Sequence, residues 1–125
     1  MKTILLIEDN IDIRENTSEL LELQGYQVIS AENGKTGLAL AKERKPDIIL
    51  CDILMPGSDG YEVLQGLTND MAVSSIPFIF LTASVEKKEV EKAFGLGAHG
   101  YIQKPFEPEE LFRTIEAFLS ESSNR

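Results

Sequence analysis

The 125-residue sequence contains one cysteine, one histidine and no tryptophan. With Cys51 alone, no internal disulfide framework can form, and a reducing cytoplasmic compartment is the expected one. Neither a Cys/His zinc set nor a histidine-to-histidine relay can be assembled from Cys51 and His99. Long apolar runs are missing as well. Ile4-Leu5-Leu6-Ile7 is cut short by Glu8-Asp9, too soon for a membrane span or a secretory leader. Basic residues are scarce: 12 Lys and Arg stand against 21 Asp and Glu, a formal net charge of −9. Gripping a nucleic-acid backbone needs a basic face, so this chain is expected to bind neither nucleic acid directly nor a membrane. An acidic balance suits a chain that meets other proteins or holds a cation.

What remains is an ordinary globular composition, 42% hydrophobic and 26% charged. Its length suits one domain able to bury roughly two-thirds of the surface its unfolded chain exposes. Short apolar runs at 3–7, 27–30, 47–51, 77–81 and 100–102 predict five strands. Between and after them, helix-period segments at 11–24, 35–44, 61–67, 87–94 and 108–120 predict five helices. Gln24-Gly25-Tyr26 is a glycine stop, Asn33-Gly34 opens the second helix and Pro46 closes that region. Pro108-Glu109-Glu110 makes a good first turn, with acids at the positive end of the helix dipole. The first, third and fourth strand segments are continuously apolar, as parallel strands covered on both faces must be. A five-fold βα alternation of this kind predicts an open, doubly wound parallel sheet with helices on both sides. Residues 121–125, following Ser120, form a polar tail or the start of a linker.

The polar residues gather where the strands end. Glu8-Asp9 follows the first strand, Asp52 ends the third, Thr82-Ala83-Ser84 follows the fourth and Lys104-Pro105-Phe106 the fifth. Open α/β sheets bind ligands outside the carboxyl ends of their strands, where strand order reverses. If the first and third strands are neighbours, Glu8, Asp9 and Asp52 meet. Two carboxylates about 4 Å apart repel by roughly 4 kcal/mol at an effective dielectric near 20. A hard divalent cation removes that cost, and oxygen-only ligands favour Mg²⁺. Acids, a hydroxyl and a lysine together are also what phosphoryl transfer requires.

Glu8-Asp9, Asp52-x-x-Met55-Pro56-x-x-Asp59-Gly60, Thr82-Ala83 and Lys104-Pro105-Phe106, in that order, resemble the receiver domain of two-component response regulators. The resemblance covers essentially the whole chain, with the domain at 1–120. It implies a flavodoxin-like (βα)5 three-layer sandwich with strand order 2-1-3-4-5. By the same resemblance, Asp52 accepts a phosphoryl group from a histidine kinase or histidine phosphotransfer protein. Asp9 and Asp52 would ligate Mg²⁺, Glu8 would act through water, and the backbone carbonyl of Leu54 would complete the protein ligands. Lys104 would pair with a phosphoryl oxygen, Thr82 would hydrogen-bond another, and Tyr101 would swing inward behind it. Pro105 would follow a cis bond that aims Lys104 into the site. Such a domain catalyses its own phosphotransfer and dephosphorylation. It presents helix four, strand five and helix five, with Lys88 and Lys92, to a downstream protein or output domain.

Taken singly, these residues have plainer readings. Glu8-Asp9 can be a solvated strand end, Thr82 a turn hydroxyl, Lys104 a surface charge and Tyr101 a packed ring. Asn10 or Asp12 suits the cap of the first helix better than Asp9 does, and Asp59-Gly60 reads as a cap and turn. His99 reads as an exposed residue entering the fifth strand, and Cys51 as a buried strand residue. Gly37 stands where the family commonly packs Ala, which should loosen the second helix slightly. Leu54 and Ser84 flank the site, and Leu54 offers no polar group to orient attacking water. Met1 directly precedes the first strand, which fits a free-standing receiver or the start of a longer regulator. A degenerate receiver used only for docking is disfavoured because acids, hydroxyl and lysine are all present. A flavin carrier would need a phosphate loop where Glu8-Asp9 stands. A phosphatase of the haloacid dehalogenase type would need a second Asp two residues after its nucleophile, where Ile11 stands.

Overall fold

The structure, a computed structural model, describes residues 1–55, 59–83 and 86–123. Its strands are β1 (Thr3–Ile7), β2 (Gln27–Ala31), β3 (Ile48–Asp52), β4 (Phe78–Thr82) and β5 (Gly100–Gln103). Its helices are α1 (Ile11–Leu23), α2 (Gly34–Arg44), α3 (Gly60–Thr68), α4 (Lys87–Gly95) and α5 (Pro108–Ser123). All strand pairs are parallel, in the order β2-β1-β3-β4-β5. Among the described residues, no helix is long and apolar enough to cross a membrane.

Alternation along the strands divides the core into two layers. Ile4, Leu6, Ile48, Leu50, Ile79 and Leu81 meet Leu21 of α1 and Leu111 and Ile115 of α5. Leu5, Ile7, Ile49, Cys51, Phe78 and Phe80 face α2, α3 and α4 through Ala41, Leu64, Leu67 and Ala93. Caps set where the helices begin: Asn10, Asn33 and Asp59 accept from the backbone N–H groups of Ile13, Thr36 and Glu62. Gly25, at φ +93°, turns the chain out of α1 in a conformation that suits glycine.

Most element bounds differ from the sequence expectations by a residue. β3 and β4 each start and end one residue later than their apolar runs suggest. The Asp47 carboxylate accepts from the Thr3 N–H at 2.7 Å, so Asp47 anchors the strand entry from outside. Pro77 has no N–H to give a ladder. In consequence Asp52 ends its strand as expected, and Thr82 is the last rung of β4 rather than the residue after it. α5 runs three residues past Ser120, because a polar stretch without Gly or Pro extends an established helix at little cost. At Gly37 a Cβ would lie 2.5 Å from Ile7 Cδ1, so the isoleucine occupies the space that an alanine methyl would take. The Pro56-Gly57 turn, Ser84 and the tail end at Asn124-Arg125 lie outside the described residues.

Candidate functional site

The carboxyl ends of β1, β3, β4 and β5 frame one site. β1 and β3 are adjacent although β2 intervenes in sequence, so the crevice where strand order reverses opens above them. At the end of β1 the Glu8 N–H donates to the Ala31 carbonyl at 3.0 Å, keeping Glu8 in line with the sheet. Its side chain is buried, 1% exposed, while the neighbouring Asp9 is exposed. One oxygen from each of Glu8, Asp9 and Asp52 lies within 4.8 Å of the others.

Lys104 completes the cluster from the far edge of the sheet. Its ammonium pairs with Glu8 Oε1 and lies 3.4 Å from Asp52 Oδ2. The backbone places it there: the Lys104 N–H donates to the Thr82 carbonyl at 2.7 Å, and the Lys104–Pro105 bond is cis. Thr82 is 3% exposed at the tip of β4, within the same frame. Leu54, two residues beyond Asp52, turns its side chain to solvent, 76% exposed. Tyr101, half-buried, sits beside Phe80 in the β4–β5 register and packs on the layer that α4 covers.

Burial pushes the Glu8 carboxyl above its ordinary range; the Lys104 hydrogen bond pulls it back, and the Asp52 charge raises it again. Burial likewise raises the Cys51 thiol well above its usual value, so it makes a poor nucleophile despite its place beside Asp52. The Glu8 shift has a consequence for stability. An acid with a raised folded pKa adds stability that is complete below its unfolded value, near 4.5, and lost as the pH rises through the folded one. In a chelating buffer, wild type should therefore gain on Glu8→Gln as the pH falls from about 7.5 to about 5. Melting curves of both proteins across that range check this, and a constant difference would contradict it.

Of the residues named from sequence, Glu8, Asp9, Asp52 and Lys104 come together, Thr82 ends the neighbouring β4, and Tyr101 packs on the α4 side of the sheet. His99 and Asp59 do not join them. His99 is exposed, its Nδ1 accepts from the Phe78 N–H at 3.1 Å, and its ring meets Phe118 edge-on. Asp59 caps α3. Two residues outside the sequence expectations belong to the surroundings. Tyr61 packs its ring edge-to-face on Phe80, donates its hydroxyl to Glu89 at 2.6 Å and lies beneath Lys92, tying the start of α3 to α4. Arg14 reaches back from α1 to the Glu8 and Asp9 carbonyls. The only sequence sign of the latter is an arginine one turn after a helix cap.

The donors fit a hard cation. They are carboxylates alone, Glu8, Asp9 and Asp52, with no sulfur or imidazole in the described donor set. A cleft of about 380 Å³ beside them, lined by Leu54, Tyr61, Thr82 and Lys92, separates the β3–α3 connection from α4.

Known proteins share this sequence pattern and this fold. The sequence model of the response regulator receiver domain matches residues 4–116. Protein PilH of Pseudomonas aeruginosa is 40% identical over 122 residues, covering 96% of this chain and 99% of that protein. The phosphate regulon transcriptional regulatory protein PhoB of the same organism is 41% identical over 118 residues, 94% of this chain and 52% of PhoB. The chain thus spans nearly all of PilH but about half the length of regulators such as PhoB. Among solved structures, the chemotaxis protein CheY4 of Vibrio cholerae superposes with a TM-score of 0.90 at 30% identity, covering 94% and 98% of the two chains. The receiver domain of the P. aeruginosa sensor histidine kinase PA1611, solved with a magnesium ion coordinated in its active site cleft, gives 0.89 at 28% identity, covering 95% and 98%.

Proposed function

The chain belongs to the response regulator receiver domain family of two-component signalling, and on that footing we propose that it is a phosphoacceptor switch with Asp52 as acceptor. The observation that carries the reading is the Lys104 ammonium bridging Glu8 and Asp52 within a three-carboxylate cluster at the strand-order reversal. A docking-only domain would not need that arrangement, which holds like charges together at a cost.

In the reaction, a carboxylate oxygen of Asp52 attacks the phosphorus of a phosphohistidine on a partner kinase or phosphotransfer protein. The P–N bond breaks, its electron pair stays on the imidazole, which takes a proton, and an acyl phosphate forms on Asp52. Asp9 and Asp52 would hold Mg²⁺ directly, with the Leu54 carbonyl, and Glu8 through water. When bound, the ion neutralises charge on the transferring phosphoryl oxygens. Lys104, already near Asp52, pairs with one phosphoryl oxygen as its hold on Glu8 gives way. The Thr82 hydroxyl donates to another. The same acyl phosphate is later hydrolysed in the site, returning Asp52 to its carboxylate.

The signal leaves through packing. Movement of Thr82 toward the phosphoryl group opens room on the α4 side of the sheet, and Tyr101 turns into it. The α4–β5–α5 surface then changes shape for a downstream protein or output domain. The test is to weigh the protein after incubation with a small-molecule phosphodonor, with Mg²⁺ or with a chelator. One phosphoryl group should be gained with Mg²⁺ and essentially none without it. Equal gain in both arms would overturn the metal-assisted reading. Beryllofluoride should in turn shift the Tyr101 ring resonances, and binding that leaves them unmoved would remove the switch while keeping the acceptor.

A further inference from the structure

Three consecutive carbonyls at the exit of β1 end on one residue. The Arg14 guanidinium Nη1 donates to the Glu8 carbonyl at 2.8 Å and lies 3.4 Å from that of Asp9. The Arg14 backbone N–H donates to the Asn10 carbonyl at 2.9 Å as the first bond of α1. From the other side the Glu8 N–H is held by Ala31, and the Asn10 N–H is 3.3 Å from Glu8 Oε2. The chain between β1 and α1 is thereby pinned at residues 8, 9 and 10, the stretch that carries two of the three clustered acids.

Physical need explains the arginine. At Glu8 the chain leaves the sheet, and among the described residues no backbone N–H donates to its carbonyl, so this partly buried group needs another donor. A lysine could supply one, but both contacts come from Nη1, whose two hydrogens lie in the rigid guanidinium plane rather than on a freely rotating ammonium. Side chains fixed on such a loop can hold tight geometry only if the loop itself does not yield.

We propose that Arg14 is a positioning residue that fixes the β1–α1 loop so that the acid cluster favours Mg²⁺ over Ca²⁺. The proposal rests on the reading that the cluster binds a divalent cation. Mg²⁺ demands a near-ideal octahedron at short distances, whereas Ca²⁺ accepts longer, irregular coordination. Slackening the loop therefore harms Mg²⁺ more. The charge of Arg14, in contrast, acts on both dications alike, so a change in their ratio isolates geometry from charge.

The experiment is calorimetric titration of Mg²⁺ and of Ca²⁺ into the metal-free protein, comparing wild type with Arg14→Lys, which keeps the charge and loses the rigid planar donor, and with Arg14→Gln. Loss of a group that orients metal ligands typically weakens binding by about 10–100-fold. Because this contact acts through the backbone, the lower end applies: Mg²⁺ affinity should fall about tenfold and Ca²⁺ affinity about twofold or less in Arg14→Lys. The metal-free melting temperature should stay close to wild type. Unchanged Mg²⁺ affinity, equal losses for the two ions, or a metal-free melting point lowered in step with affinity would each overturn the proposal. Failure of the underlying reading looks different: wild type itself would take up neither ion, or Asp52→Asn would bind Mg²⁺ as well as wild type.

Discussion

Asp52→Asn should take up no phosphoryl group from a small-molecule donor under conditions that phosphorylate wild type in stoichiometric yield. Asparagine keeps the size and shape of the side chain, so the end of β3 and its pairing with β4 at Leu81 should persist. What disappears is the nucleophile, because the amide lone pair is delocalised and cannot form the acyl phosphate. The carboxylate near Lys104 disappears with it. The variant should also be no less stable than wild type in chelator, since one of three mutually repelling acids has become neutral. Intact mass followed by peptide mapping reads the result. A phosphoryl gain that survives the substitution, on Asp9, Asp59 or elsewhere, would sink the assignment of Asp52. A gain lost together with the native circular dichroism would say nothing about chemistry, which is why the stability measurement accompanies the mass.

Gly60→Ala should destabilise the domain by about 3 kcal/mol, the upper part of the range for overpacking. A Cβ at Gly60 would stand 2.5 Å from the Asp52 carbonyl oxygen, 2.8 Å from Phe80 Cε1 and 3.0 Å from Ile53 Cα. Two of those three neighbours are backbone atoms, which cannot rotate away as a side-chain terminus can. The Gly60 N–H meanwhile donates to the Ile53 carbonyl at 2.7 Å, so the start of α3 is drawn against the end of β3. Relief would have to come from moving α3 or the strand end that carries Asp52. The urea midpoint should drop by roughly 1–2 M for an m-value typical of small domains. Phosphoryl uptake should slow even below the midpoint. Gly95→Ala is the control: nothing lies within 4 Å of a Cβ there, and the helix preference of alanine predicts an unchanged or slightly raised midpoint. Equal behaviour of the two variants would contradict the packing argument.

Much about this protein was legible before any tertiary structure. The alternation of apolar runs with 3.6-residue periods specified five βα units, and Asn33, Asp59 and Pro108 marked where helices begin. These are local properties: a residue's period, cap chemistry and backbone freedom act within a few positions of itself. The chemistry on offer was legible for the same reason, because acids, a hydroxyl and a lysine each stood at the end of an apolar run. The exact strand ends were less so, since Asp47 and Pro77 look like strand residues until their hydrogen bonding is known.

Which side chains meet, however, is decided by the parallel sheet, whose neighbours are joined by crossovers rather than by sequence. Lys104 reaches Glu8 across 96 residues because β5, β4, β3 and β1 lie side by side in one register. The same distance between sequence and space hid the tie of Tyr61 to Glu89 and the seat of Gly60 against Phe80, while Arg14, only five and six residues from its carbonyls, was hidden by the path of the chain into α1. Their roles depend on where a neighbouring carbonyl or ring lies after folding, and no period or cap reports that. The amino-acid sequence determined the elements and the reactive groups; the order and register of the strands brought the Glu8-Asp9 pair, Asp52 and a distant lysine together.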